Sequence, residues 1–200
     1  MKGLVDAGVN RISIALDAAT EEIFDRVKGR NIGGSYRWER QHDALWEAVR
    51  VFGEGSVSTH LIVGLGETEK EMCQTIQWCV DSGVYPGLFA FTPIPGTALE
   101  DNPPPSLSSY RRVQVAHYLL TRRKIRFENM AFDSNGCLTD YGVPKERLLE
   151  VIDAGEPFLT SGCPGCNRPY YNERAGGPLY NYPRQLLPEE IMDAKRVLGF

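Results

Sequence analysis

The stretch SVSTHLIVGLGE, residues 56–67, decides the fold class of this chain. Its first eight residues are rich in β-branched and apolar side chains, which predicts a strand. The glycines at positions 64 and 66 predict a tight turn directly after that strand. Residues 69–81 then have the pattern of a helix, which Gly83 ends. A strand followed at once by a helix is the repeating unit of a parallel sheet.

Two similar units flank this one. Upstream, a strand over 11–16 is followed by a helix that Thr20 caps and by a second helix over 38–52. Downstream, a strand over 87–92 is followed by a helix that Ser108 caps. Alternating strands and helices predict parallel strands joined by right-handed crossovers. Because about three to four such units cannot close an eight-stranded barrel, we expect an α/β fold, an incomplete (β/α) TIM-type barrel.

The chain changes character after residue 124. We expect one more strand over 127–132, a turn at 133–136, and helices over 145–154 and 188–198. Residues 157–183 are rich in Gly, Pro, Asn and Tyr and show no clear period. The predicted division is therefore a partial barrel over residues 1–125 and a C-terminal extension over 126–200 that covers one mouth of the sheet.

Composition excludes several classes of partner. The net charge is −4, and 24% of the residues are charged, so no strongly basic face for nucleic acid is predicted. No apolar run approaches the roughly 18 residues of a membrane helix, and the N-terminus lacks the apolar stretch of a secretory signal. We expect a cytoplasmic protein without a membrane partner. Its five cysteines are then reduced thiols, metal ligands or core residues.

Candidate site residues follow the predicted strands, because ligands of parallel α/β sheets bind at the carboxyl ends of the strands. Asp17 is placed to accept hydrogen bonds from ribose hydroxyls, or else to end a turn or cap a helix. Gly64 and Gly66 allow a flat ligand to approach the backbone, or else form an ordinary turn. Glu67 is either a ligand-binding residue or a first-turn acid that the helix dipole stabilises.

Together these segments resemble the radical S-adenosylmethionine (SAM) superfamily. The stretch HLIVGLGE resembles the family's fifth-strand motif G-x-I-x-G-x-x-E, in which Ile62, Gly64 and Glu67 match and His60 replaces the first glycine. The stretch IALD, residues 14–17, resembles the fourth strand. The stretch FTPIPGTALE, residues 91–100, resembles the sixth-strand segment of biotin synthase and its relatives, with Pro95 and Gly96 at its centre.

The resemblance covers residues 1–125 and implies SAM and a [4Fe–4S] cluster as cofactors. It places Asp17 at the SAM ribose, and Ile62 and Gly64 near the adenine. It also implies that Glu67, Pro95 and Gly96 belong to the cofactor-binding site. The motif C-x-x-x-C-x-x-C, which holds the SAM cluster in this family, does not occur in the sequence. We therefore expect a truncated product or fragment that is inactive alone, or a subunit that a partner chain with the N-terminal half-barrel completes. Relatives carry asparagine where this chain has Ala15, which implies a different substrate.

The extension contains the stretch GCPGCNRP, residues 162–169, whose C-x-x-C turn brings two thiols together. Such turns bind zinc or an iron–sulfur cluster. Cys163 and Cys166 are the predicted ligands, and Cys137 is a third candidate. A redox pair and a chance pair in a loop are the alternatives. Cys73 and Cys79, on one predicted helix, are instead expected to be core or surface thiols.

The extension resembles the C-terminal region of biotin- and lipoyl-synthase-like proteins. This resemblance implies an auxiliary cluster and sulfur insertion at an unactivated carbon through a 5′-deoxyadenosyl radical. Tyrosines and arginines over 168–184 would then either clamp a carboxylate-bearing acyl or small-molecule substrate or pack as a surface tail. Two other functions stay open: a different radical SAM reaction, such as methylation, rearrangement or maturation, and a non-catalytic zinc-binding or scaffolding subunit.

Overall fold

The computed structural model describes residues 1–161 and 176–200. A three-stranded parallel sheet forms the centre of the molecule, in the order β1 (Ile12–Ser13), β2 (Val57–Val63) and β3 (Val84–Ala90). Val57 pairs with Val84 at one end of the β2–β3 ladder, and Val63 pairs with Ala90 at the other. The sheet is open, which confirms the expected α/β fold and is compatible with an incomplete barrel.

Helices follow each strand as the sequence predicts. They are α2 (Glu21–Val27), α3 (Trp38–Phe52), α4 (Glu69–Asp81) and α5 (Leu107–Arg122), after a short α1 (Lys2–Asp6) at the N-terminus. Thr20 caps α2 as expected, since its hydroxyl accepts a hydrogen bond from the Ile23 amide. The predicted cap of α5 was wrong. The hydroxyl of Ser106, not Ser108, accepts from the Ser109 amide, because the helix begins directly after the prolines at 103–105.

Strand β3 begins three residues earlier than predicted, and Pro86 lies inside it. A proline is tolerated in a strand where its missing N–H would not face a neighbouring strand. Here the Pro86 carbonyl accepts a hydrogen bond from His117 Nε2 of α5, at 2.7 Å, on the side of β3 away from β2. The proline therefore removes no hydrogen bond from the β2–β3 ladder.

The two faces of the sheet differ. Along β2, Val57, Thr59, Leu61 and Val63 are buried and alternate with three half-buried residues. The buried face packs against helix side chains such as Leu45 of α3 and Ile76 of α4, in one continuous core. Burying each such aliphatic side chain contributes roughly 1.5–3 kcal/mol, so this face holds the helices in place.

The extension does not add the expected fourth parallel strand. Residues 127–129 form a 3-10 turn, and β4 (Ala131–Phe132) pairs instead with β5 (Leu138–Asp140) in an antiparallel hairpin. The predicted turn at 133–136 closes this hairpin, and its Asp133 carboxylate accepts hydrogen bonds from the amides of Asn135 and Cys137. The strand prediction failed because a local turn of this kind joins antiparallel neighbours, whereas parallel strands need a long crossover.

The rest of the extension packs on α5 and on the outer edge of β3. It contains α6 (Lys145–Asp153), a 3-10 turn over Glu156–Phe158, and α7 (Pro188–Leu198), which contacts both α5 and α6. Beside β3, the Ser161 hydroxyl accepts a hydrogen bond from the Leu88 amide at 2.8 Å. Leu159 pairs with Tyr182 in a parallel bridge, so both ends of the segment between them lie together. Within the described residues, no helix has the length and apolar character to cross a membrane.

Candidate functional site

The carboxyl edge of the sheet brings two of the three predicted site segments into direct contact. Asp17 forms a parallel bridge with Leu61, near the end of β2. Its amide donates to the His60 carbonyl at 2.8 Å, and its carbonyl accepts from the Ile62 amide at 2.7 Å. The backbone of Asp17 is therefore fixed to the strand that leads into Gly64 and Glu67.

A bulge in the first strand sets the conformation of Asp17. Ser13 pairs with Ser58, but Asp17 pairs with Leu61, so four steps on one strand match three on the other. The amide of Leu16 donates to the buried Thr59 hydroxyl at 2.9 Å in place of a backbone carbonyl. Asp17 itself has φ of +67°, a left-handed conformation that is uncommon for residues other than glycine.

The Asp17 side chain forms an ion pair that the sequence analysis missed. Lys28 Nζ lies 2.7 Å from Asp17 Oδ2 and 2.9 Å from the carbonyl oxygen of Ala15. The ammonium also lies 4.8 Å from the centre of the Tyr36 ring and 5.3 Å from that of Phe24. A lysine eleven positions after the aspartate, at the end of a helix, carries no motif from which this contact is predictable.

The Glu67 carboxylate bonds the backbone of its own turn. Its Oε1 accepts from the Gly64 amide at 2.7 Å, and its Oε2 accepts from the Leu65 amide at 3.0 Å. Burial raises the pKa of the Glu67 carboxyl, while these amide hydrogen bonds act in the opposite direction. The carboxylate therefore holds the turn after β2 in shape.

The two glycines of that turn are needed by the protein's own packing. Gly64 has φ of +104°, and a Cβ there would lie 2.8 Å from Cδ of Pro105. Gly66 has φ of +113°, and a Cβ there would lie 2.8 Å from Nη2 of Arg26. Both positions combine a left-handed backbone with a close neighbour, so a larger residue would strain the turn.

Ile62 lies on the half-buried face of the sheet, beside aromatic rings. It pairs in register with Phe89 of β3, and the ring of Phe89 lies 4.8 Å from that of His60. Ile62 and Phe89 thus place apolar side chains on this face of the sheet, in the register where Asp17 bonds β2. Such a surface suits the face of an aromatic ligand.

Pro95 and Gly96 lie in an exposed loop after β3. The Gly96 amide donates to Glu100 Oε2 at 2.6 Å, and the Thr97 hydroxyl donates to the Ile94 carbonyl at 2.8 Å. Side chains of the same short segment thus close the loop.

The cysteines are placed differently from one another. Cys73 and Cys79 are buried in α4, as expected of core thiols, and burial raises the pKa of the Cys73 thiol to about 12 and that of Cys79 still further. Cys137 is half-buried at the end of the hairpin turn. Cys163 and Cys166 lie outside the described residues. Among residues 1–161 and 176–200, the structure shows no group of three or more His, Cys, Asp or Glu side chains placed to hold a metal ion.

A cavity of about 530 Å³ lies away from these segments, between β3, the C-terminal half of α5 and the extension. Most of its polar lining is already hydrogen-bonded within the protein: Gln114 bonds Asn181 and the Tyr180 carbonyl, and Tyr118 bonds Glu156. This polar lining is therefore largely structural.

Comparison with known proteins gives a partial match. The chain is 30% identical over 93 residues to the GTP 3′,8-cyclases of Trichormus variabilis and of a Nostoc species. The matched region is 46% of this chain and 27% of each relative, so the chain spans about a quarter of the length of these relatives. No family model and no solved structure matches. The similarity supports the resemblance at the level of the radical SAM superfamily, without favouring the biotin and lipoyl synthase group within it.

Proposed function

We propose that this chain carries the ribose- and adenine-binding edge of a radical SAM site and belongs to an enzyme of the sulfur-inserting biotin and lipoyl synthase group. The observation that carries the proposal is the position of Asp17, whose backbone bonds Ile62 at the carboxyl edge of a parallel sheet and whose carboxylate is partly exposed there. The partial similarity to GTP 3′,8-cyclases supports the superfamily independently.

The residues at the edge fit the nucleoside part of SAM. The Asp17 side chain is 25% exposed, and Lys28 bonds only its Oδ2, which leaves acceptor capacity on Oδ1 for a ribose hydroxyl. Ile62 and Phe89 offer an apolar surface for the adenine ring. Glu67 acts indirectly, because it holds the turn at Gly64 that ends β2. When bound, SAM supplies the 5′-deoxyadenosyl group that abstracts hydrogen from a substrate.

The described residues do not fit an iron–sulfur cluster. Cys73 and Cys79 are buried with raised thiol pKa values, and only thiolates bind iron well. For the extension, we propose Cys163 and Cys166 as metal ligands, with Cys137 as a further candidate. The contact of Ser161 with Leu88 supports this proposal, since it places the chain just before Cys163 within two residues of the end of β3.

A binding measurement with a nucleoside ligand tests the proposed site, and it does not require a bound iron–sulfur cluster. Saturation-transfer NMR with S-adenosylhomocysteine should show binding to the wild type. Asp17→Ala should weaken it about tenfold or more, as expected for a lost hydrogen bond to a charged acceptor. The exposed Asp43 of α3 provides a matched control, and Asp43→Ala should bind like the wild type. Equal affinity of the Asp17→Ala and wild-type proteins would refute the site.

Metal analysis tests the sulfur-inserting assignment. After anaerobic reconstitution, the wild type should hold iron and acid-labile sulfide, and Cys163→Ala and Cys166→Ala should each lower both. Iron without sulfide, or zinc alone, would instead indicate a structural metal. Unchanged iron in the two variants would exclude these cysteines as ligands.

A second candidate is a radical SAM cyclisation or rearrangement. The similarity to proteins named GTP 3′,8-cyclase favours it. In that case GTP should give its own saturation-transfer signals with this chain. Product analysis with the complete enzyme separates the two, because only sulfur insertion leaves a new carbon–sulfur bond in the product.

A further inference from the structure

The left-handed conformation of Asp17 requires support from its surroundings. Aspartate tolerates positive φ better than most residues, but such backbone still costs roughly 1 kcal/mol and persists only where neighbouring contacts fix it. Backbone hydrogen bonds to β2 fix the amide and the carbonyl of Asp17. They do not fix its side chain or the two preceding residues of the bulge.

We infer that Lys28 is a positioning residue for Asp17: its ammonium joins the Asp17 carboxylate to the carbonyl of the bulge and so fixes the direction of the carboxylate. This inference rests on the proposed nucleoside site. Lys28 would not touch the ligand in this role. It would act through Asp17, which does.

The bulge leaves a carbonyl that needs donors. The oxygen of Ala15 accepts from Lys28 Nζ and from Nε2 of Gln41 on α3, each at 2.9 Å. These two side chains replace the partners that a regular parallel ladder would supply. Lys28 bonds the Ala15 carbonyl and the Asp17 carboxylate at the same time. It therefore restricts movement of the carboxylate relative to the backbone of the bulge.

The surroundings of Lys28 restrict where its ammonium can lie. The side chains of Lys28 and Asp17 are 16% and 25% exposed, so the pair is more shielded than an ordinary surface salt bridge. The rings of Phe24 and Tyr36 both lie within cation–π distance of the ammonium. An ammonium held by two oxygens and two rings has little freedom to leave its partner.

This arrangement explains why a lysine suits the position. A methionine of similar length would keep the packing against the rings but would leave the Ala15 carbonyl with one donor and Asp17 with none. We therefore expect the Asp17 carboxylate to rotate towards solvent in such a variant. The ribose would then lose an oriented acceptor even though Asp17 is still present.

Two readouts separate positioning from simple loss of stability. In the variant Lys28→Met, the ¹³Cγ chemical shift of the Asp17 carboxylate should move towards the value of an unpaired, solvated carboxylate, because the lysine bonds its Oδ2. Its affinity for S-adenosylhomocysteine should fall about tenfold. Preference for adenosine over 2′-deoxyadenosine should also disappear. Lys28→Arg should restore part of the affinity, and Lys70→Met, on the exposed surface of α4, should match the wild type.

The outcomes are distinguishable. If the wild type binds no nucleoside, the proposed function fails, while the chemical shifts of Asp17 still test the role of Lys28. If the wild type binds and Lys28→Met keeps both its affinity and its Asp17 shifts, the inference is overturned. Should Lys28→Met not fold, Lys28→Gln carries the same measurements, because glutamine keeps a neutral donor but not the charge.

Discussion

Replacing Glu69 by glutamine should destabilise the protein by about 3 kcal/mol, although the two side chains have nearly the same shape. Glu69 is the first residue of α4 and is only 6% exposed. Its carboxylate accepts from Nε of Arg112 at 2.9 and 3.0 Å and from Nη2 at 2.6 Å, and its Oε2 accepts from the Leu138 amide at 2.7 Å. One side chain thus joins α4, α5 and the β4–β5 hairpin.

The magnitude follows from these contacts. A hydrogen bond to a charged group contributes about 1.5–3 kcal/mol, and glutamine lacks both the charge and one of the two acceptor oxygens. Its amide group would face either Arg112 or the Leu138 amide, both of which are donors. Arg112 is 27% exposed, so water can replace part of what it loses. A net cost of about 3 kcal/mol lowers the melting temperature of a chain of this size by about 6–12 °C.

Urea unfolding followed by circular dichroism measures the effect. A cycle with Arg112→Met should give a coupling energy of about 2 kcal/mol between the two residues. The control is Glu150→Gln in α6, where the pair with Arg147 is more than half exposed and should change stability by less than about 0.5 kcal/mol. If Glu69→Gln lowers the free energy of unfolding by less than about 1 kcal/mol, Glu69 does not stabilise the contacts among α4, α5 and the hairpin as inferred.

Three further predictions concern single residues. Gly64→Ala should cost about 1–3 kcal/mol in urea unfolding because its Cβ would meet Pro105, whereas Gly96→Ala, with open space around it, should cost less; equal losses would contradict this reading. Burial lowers the pKa of His117 from 6.5 to about 4, so the unfolded chain binds a proton more readily and stability should fall as the pH drops from 6.5 to 4. That loss, on the order of 3 kcal/mol, should be absent from His117→Gln. Cys79 should stay unmodified by iodoacetamide in the native protein at pH 8, as peptide mass spectrometry would show, because its thiol is buried with a raised pKa.

The helices were predictable because their signals are local. The bounds of α3, α4 and α7 agree with the sequence analysis, since each has an apolar period near 3.6 and α4 and α7 also have clear starts at Thr68 and Pro188. Interactions between distant residues were not predictable in this way. The Pro86 carbonyl inside β3, for example, accepts a hydrogen bond from His117, 31 positions away, which no local pattern indicates.

For the candidate site residues, the sequence predicted their place in the fold better than their contacts. Patterns at the ends of the strands indicated Asp17 and Ile62, and the structure places both at the expected edge. The same patterns did not separate a ligand-binding Glu67 from one that bonds the amides of its own turn. They also missed Lys28, because a salt bridge to a bulge depends on a register shift that the spacing of residues does not reveal.

The bridge between Leu159 and Tyr182 has a consequence for protein engineering. Thr160 donates to the carbonyl of Tyr182, 22 positions later, and Tyr182 donates back to Phe158. A segment whose two ends are held side by side can be replaced by one of another length at low entropic cost. The reason is that the entropy of loop closure depends only weakly on loop length. Within this segment, Ser161 bonds Leu88, and Arg111 and Gln114 bond residues 179–181, so the stretch open to exchange lies between Ser161 and Leu179. Metal-binding or substrate-binding sequences from other proteins should be exchangeable there while the sheet and its helices keep their structure.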